Sequence, residues 1–128
     1  MARIMARDPF RYLPLTITPE LMRLGESTTY GCPIALALER ATGMRASVAA
    51  LCVLLVEDDA DGDSAIMYIG GLSMAALAFM RAYDGGIVER GREHAVGVWM
   101  RRSGWGEPSR NIFPPIDSRA QRDYSAGG

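Results

Sequence analysis

Lysine is missing altogether: all 14 basic residues of this 128-residue chain are arginine. The codon bias of a GC-rich genome accounts for this better than selection for guanidinium chemistry. Histidine occurs once, at His94, and cysteine twice, at Cys32 and Cys52. So few soft ligands and bases leave no recognisable catalytic triad or closed metal site. Two cysteines in a chain long enough to build its own core do not resemble a secreted disulfide framework. The N-terminus has arginines but no apolar stretch of signal-peptide type. The longest apolar runs, 46–56 and 74–80, are too short to span a bilayer. A cytoplasmic protein without membrane attachment is expected. Net charge is −1, so no global field draws the chain to nucleic acid or to an anionic surface.

What is present points to one domain. A hydrophobic fraction of 48% and a charged fraction of 23% are ordinary for a globular fold of this length. Residues 1–14 read as a loose lead-in, 15–102 as the domain, and 103–128 as an irregular or disordered tail in which Trp105 or Ile112–Ile116 can dock. Leu15 and Ile17 alternate with threonines and suggest an edge strand. Thr18-Pro19-Glu20 is a helix start, with a capping hydroxyl, proline at the first turn and an acid at the positive dipole end. Cys32-Pro33 opens a second helix that closes at Gly43. Ser73 caps a third, Met74–Tyr83, so apolar that it should be the most buried of the three.

Between them, Ser47–Val56 and Ala65–Ile69 read as a hairpin turned at Asp61-Gly62. Both arms are almost continuously apolar, which predicts central strands covered on both faces. A last strand falls within Glu93–Arg101. The expected fold is α+β, a small antiparallel sheet of three to four strands packed with three helices. The predicted core comprises Val48–Val56, Ile66–Ile69, Leu77–Phe79, Ile34 and Leu38. So apolar a hairpin in so short a chain also predicts self-association through a sheet face or edge, as in a homodimer.

Gly25-Glu26-Ser27, then Cys32-Pro33-Ile34-Ala35-Leu36-Ala37-Leu38, and later Phe79-Met80-Arg81-Ala82-Tyr83-Asp84-Gly85-Gly86 carry a resemblance. Their order resembles a family of small phage and prophage proteins of high-GC bacteria. Such proteins have a helix ending in Gly-Glu, a Cys-Pro-opened helix, a hairpin, and a helix ending in Phe/Tyr-Asp-x-Gly. The likeness covers roughly residues 15–100. The Arg-rich lead-in, acidic turn and long tail depart from the pattern. The resemblance implies a phage-borne origin and carries over no reaction and no site residues.

Four features are candidates for chemistry. Cys32 sits at a helix N-terminus, where the dipole favours thiolate, but only His94 and Cys52 are available as partners, and Cys52 reads as a core hydrophobe. A zinc site on Cys32, Cys52 and His94 would need those three to converge, and no metal or cofactor is expected. Asp59-Ala60-Asp61-Gly62-Asp63 begins like a calcium loop, yet the sixth and twelfth positions are Ser64 and Gly70 rather than Gly and Glu. The cluster Glu57, Asp58, Asp59, Asp61 and Asp63 instead reads as a solvated turn able to meet a basic partner surface. The tail, with five arginines against three acids in 101–128, offers Arg101, Arg102 and Arg110 to nucleic acid, with Trp99 and Trp105 for stacking.

The leading expectation is a non-enzymatic phage accessory protein. It would bind a host protein or protein–nucleic-acid complex through Glu57–Asp63, as an inhibitor of a bacterial defence system such as CRISPR would. The alternatives are a nucleic-acid-binding module using the arginines of the tail, and a thiol-dependent enzyme or redox sensor at Cys32.

Overall fold

The computed structural model describes residues 9–113. The expectations for residues 1–8 and 114–128, including Arg119, Arg122 and the stretch Pro114–Ile116, lie outside the described residues. The element order is β1 (Arg11–Ile17), α1 (Pro19–Leu24), α2 (Pro33–Thr42), β2 (Arg45–Ala49), β3 (Cys52–Asp58), β4 (Ser64–Leu72), α3 (Met74–Asp84) and β5 (His94–Arg102). The strands form one antiparallel sheet in the order β1-β5-β4-β3-β2. The α+β class stands, with five strands rather than three to four.

The additional strand comes from 47–56, which is not one strand but two. The chain turns at Ala50-Leu51, so β2 pairs with β3 through Val48↔Val53 and Ala49↔Cys52. Neither residue is a turn former, and Leu51 ends up 95% exposed at the tip. The pairing of long antiparallel partners overrides local propensity here. At the other end, the strand expected at Leu15–Ile17 begins four residues earlier, at Arg11, and pairs along its whole length with β5. The loose lead-in is correspondingly shorter. Pro14 lies within β1, which is tolerated because β1 is an edge.

Local chemistry sets the helix boundaries. The Thr18 hydroxyl accepts from Leu21 N at 3.2 Å, Cys32 Sγ from Ala35 N at 3.4 Å, and Ser73 Oγ from Ala76 N at 3.1 Å. Each satisfies one of the N–H groups that a helix start leaves open. Gly43, at φ 75°, takes the left-handed conformation that ends α2. Contrary to expectation, α3 is not the most buried helix. It buries Ala76, Phe79 and Tyr83 and leaves Met74 83% exposed, whereas α2 buries Pro33, Ile34, Ala35, Ala37, Leu38 and Thr42.

Strand alternation divides the sheet into two faces. Leu13, Leu15 and Ile17 of β1, Val96, Val98 and Met100 of β5, Tyr68 of β4, Val53 and Leu55 of β3, and Ala46 and Val48 of β2 form a single buried layer. Helix α2 covers this layer over β1 and β2, and α3 covers it over β5 and β4. The opposite residues, Leu54 and Val56 of β3 and Ile66 and Ile69 of β4, are only half-buried. The expectation that both faces of these strands are covered therefore fails. They are central, but the described helices all lie on one side.

Candidate binding surface

The acidic turn is held together by its own acids. Asp59 Oδ1 accepts from the N–H groups of Asp61 and Asp63, each at 2.9 Å, and Gly62 supplies the positive φ of 85°. Asp58 accepts from Ser64 Oγ at 2.5 Å and Arg45 Nη2 at 2.9 Å. The Ser64 hydrogen bond, followed by the Arg45 contact, holds its carboxyl below the usual carboxylate range. Glu57 accepts from the backbone N–H and hydroxyl of Ser109, pinning the polypeptide that follows β5 against β3. Of the five acids singled out by sequence, Glu57, Asp58 and Asp59 thus hold local structure. Asp61 and Asp63 expose their carboxylates to solvent with no side-chain partner among the described residues.

Cys32 is completely buried, and burial pushes its thiol up from the ordinary value. Hydrogen bonding to the helix start acts the other way and is the smaller effect, so the expected bias toward thiolate is reversed. Cys52, expected in the core, is exposed at the start of β3. The ring of His94 contacts the carbonyl oxygen of Glu89 through Nε2 at 2.6 Å and packs at 5.3 Å from Phe79. Among the described residues no group of three or more His, Cys, Asp or Glu is placed to hold a metal ion. No helix among them is long and apolar enough to cross a membrane.

The remaining candidate is the sheet face that no described helix covers. Toward its β1 edge Tyr12 and Trp99 meet edge to face, with centroids 5.0 Å apart, and both remain more than two-fifths exposed. Gly97 makes this possible, since a Cβ there would lie 2.2 Å from the Tyr12 ring. Gly71, beside Trp99 in the β4–β5 register, has nothing within 4 Å of its Cβ position and leaves a flat step. Leu54, Val56, Ile66 and Ile69 extend the apolar surface toward β3. Its rim carries Arg45, paired with Asp58, and Arg101, stacked 4.7 Å over Phe10. The Nε of Arg101 is buried without a hydrogen-bond partner.

The three arginines proposed for nucleic acid do not share this face. Arg102 follows Arg101 on β5 and takes the helix side, where it pairs with Glu107 at 3.5 Å. Arg110 lies in the irregular segment 103–113, which crosses the end of the sheet and buries Ile112. The hydroxyl of Tyr68 donates to the carbonyl of Arg110 at 3.1 Å. Sequence reasoning noted Trp99 but missed Tyr12. Its only signal was one aromatic in the alternation of a segment read as lead-in.

No family model, no curated protein and no solved structure matches the chain.

Proposed function

We propose that this chain is a non-enzymatic binding protein that docks a host protein on the open face of its sheet. The observation that supports this is the apolar surface that holds the Tyr12–Trp99 pair, with Arg101 beside it, left uncovered by every described helix. Tyrosine, tryptophan and arginine clustered on an apolar surface are the residue types that carry most interface energy. The phage resemblance makes the partner a host protein, and an inhibitor of a defence system such as CRISPR is one form such a binder takes. Asp61 and Asp63, at the end of the hairpin that builds half the face, supply a second, electrostatic contact to a basic rim on the partner. Self-association through the same face is the competing use.

The test is capture from a host lysate, with and without nuclease, using the wild-type chain, Trp99→Ala and Asp61→Asn/Asp63→Asn. Sedimentation of each chain alone runs beside it. One nuclease-resistant protein partner, lost with Trp99→Ala and weakened with the double Asn variant, supports the reading, provided both variants keep the wild-type melting temperature within a few degrees. Undiminished capture by Trp99→Ala removes the sheet face from the argument. A wild-type dimer that Trp99→Ala converts to monomer assigns the face to self-association instead.

A second reading draws on the arginine at the rim. An antiparallel sheet with exposed aromatics and a neighbouring guanidinium is also the form of a single-stranded nucleic-acid platform. Salt-dependent oligonucleotide binding, lost with Tyr12→Ala and Arg101→Gln, is its mark.

A further inference from the structure

On the helix side of the sheet, at the end where Arg11 and Arg102 emerge, lies a cleft of about 510 Å³. Its lining includes Arg11, Arg101, Arg102 and Arg110 together with Tyr68 and Phe113. Among the described lining residues the single carboxylate is Glu107, which pairs with Arg102. Four arginines thus stand against one acid among those residues, in a chain whose net charge is −1. The volume falls in the range of small-molecule sites, about 300–1,000 Å³.

The state of each arginine matters more than the count. Arg11 lies 4.5 Å over the Phe113 ring, and this stacking uses the face of the guanidinium. The five N–H donors lie in its plane, so stacking leaves them available. Arg101 is held in the same way over Phe10. Arg110 packs its guanidinium beside Gly43, with Nη1 2.9 Å from the Gly43 Cβ position, at the carbonyl end of α2. None of Arg11, Arg101 and Arg110 forms an ion pair among the described residues. An aromatic ring thus holds Arg11, and the carbonyl end of α2 holds Arg110, with no carboxylate partner for either among the described residues. Such a concentration of like charge repels itself and is relieved by a bound anion.

We propose that this cleft binds a compact phosphorylated ligand, whose phosphate or pyrophosphate group is held by in-plane donors of Arg11 and Arg110. Planar guanidinium forks match phosphate oxygens in pairs, which a point charge does not. The ligand class is a small molecule bearing two or more phosphate charges, or the phosphorylated end of a nucleic acid. Both present the same chemistry. The cleft and the open sheet face lie on opposite sides of β5, Trp99 pointing to one and Arg102 to the other, while Arg101 borders both.

The test is calorimetric titration with inorganic pyrophosphate in about 0.15 M NaCl, where long-range fields are screened beyond about 8 Å. Saturable binding near one equivalent is expected. It should weaken at least tenfold in Arg110→Gln and further in Arg11→Gln/Arg110→Gln. A control removing the same charge elsewhere, Arg40→Gln/Arg92→Gln, should bind like the wild type. Arg110 is exposed, so its single variant keeps the test open if the double variant folds poorly. Absence of saturable binding, or equal weakening in the control, overturns the proposal. Oligonucleotides with 5′-phosphate and 5′-hydroxyl ends separate the sources. Preference for the 5′-phosphate, lost in Arg110→Gln, places a nucleic-acid end in the cleft. Pyrophosphate binding with no such preference assigns it to a small molecule. Cleft-dependent binding of both oligonucleotides alike, without pyrophosphate binding, means the arginines read a backbone and sinks the proposal.

Discussion

Gly70 and Gly71 stand side by side in β4, and the fold assigns them opposite fates on substitution by alanine. A Cβ at Gly70 would lie 1.8 Å from the carbonyl oxygen of Trp99 and 2.6 Å from Met100 Sδ. Carbon–oxygen contacts between strands settle at about 3.3–3.6 Å, so β4 and β5 would have to part by roughly 1.5 Å. The obstacle is backbone, which no side-chain rotation relieves. Parting strands by that distance lengthens neighbouring ladder hydrogen bonds beyond usefulness, at about 1 kcal/mol each. Overpacking adds a further 1–3 kcal/mol or so. Gly70→Ala should therefore cost about 3–5 kcal/mol, roughly a 12–20 °C fall in melting temperature at this chain length. Gly71→Ala meets nothing within 4 Å. It should gain about 0.5–1 kcal/mol from the reduced freedom of the unfolded chain. Thermal denaturation of the two variants by circular dichroism reads the difference directly. Equal melting temperatures would refute the register Gly70↔Met100 and, with it, the assignment of Trp99 to the open face.

The remaining predictions concern the thiols, the acidic turn and the segment after β5. Cys52 should react with a thiol reagent at once and Cys32 only on unfolding, giving one equivalent in buffer and two in denaturant; two fast equivalents would contradict the buried N-cap. Because burial raises the Cys32 thiol, the stability it adds is complete below the free-thiol range near pH 8.5 and declines as pH rises through the folded value, so Cys32→Ala should flatten the alkaline loss seen in wild-type melts. The Asp58 carboxyl is lowered, so the stability it contributes is present above about pH 4 and lost as pH falls through its folded value; the melting difference between wild type and Asp58→Asn should shrink on acidification, and a constant gap from pH 7 to 2 would count against the Ser64–Arg45 arrangement. Ile112→Ala should cost about 2–3 kcal/mol by emptying the contact that seats segment 103–113, and a loss below about 0.5 kcal/mol would show the segment is not packed there.

How far sequence alone reaches depends on how local the cause is. The caps at Thr18, Cys32 and Ser73 and the left-handed Gly43 were legible because capping is settled within four residues. The split of 47–56 was not legible, because Ala50-Leu51 carries no turn residue and only pairing with β3 makes the reversal. Of the two apolar runs expected to be central, β3 and β4 are, whereas 47–49 falls in the edge strand β2, and hydrophobicity cannot say which face finds a cover. The cysteines were read in reverse for a related reason. Position at a helix start is visible in sequence, while the depth of burial that outweighs it at Cys32 is set by distant elements. The arginine cleft assembles Arg11, Arg102 and Arg110 from opposite ends of the described chain, and no spacing signals it.

The one-sided placement of the helices follows from the connections. The chain leaves β1 for α1 and α2 and returns at the far edge in β2, so that crossing must span the sheet on one face. The hairpins β2–β3 and β3–β4 then fill inward from that edge. Only α3 remains to connect β4 with β5, and it packs on the side where Phe79 and Tyr83 find the existing core, the Tyr83 hydroxyl donating to Met22 O at 3.0 Å. Two consequences share this cause. The opposite face is left with Tyr12, Trp99, Leu54 and Ile69 and no described helix to cover them. On the helix side, the end where Arg11 and Arg102 emerge is bordered, among the described residues, by the irregular segment 103–113, with Phe113 under Arg11 and Arg110 at the end of α2. An open apolar face and an arginine-lined cleft are thus what this strand order leaves between the described elements, which explains why neither carries a sequence motif.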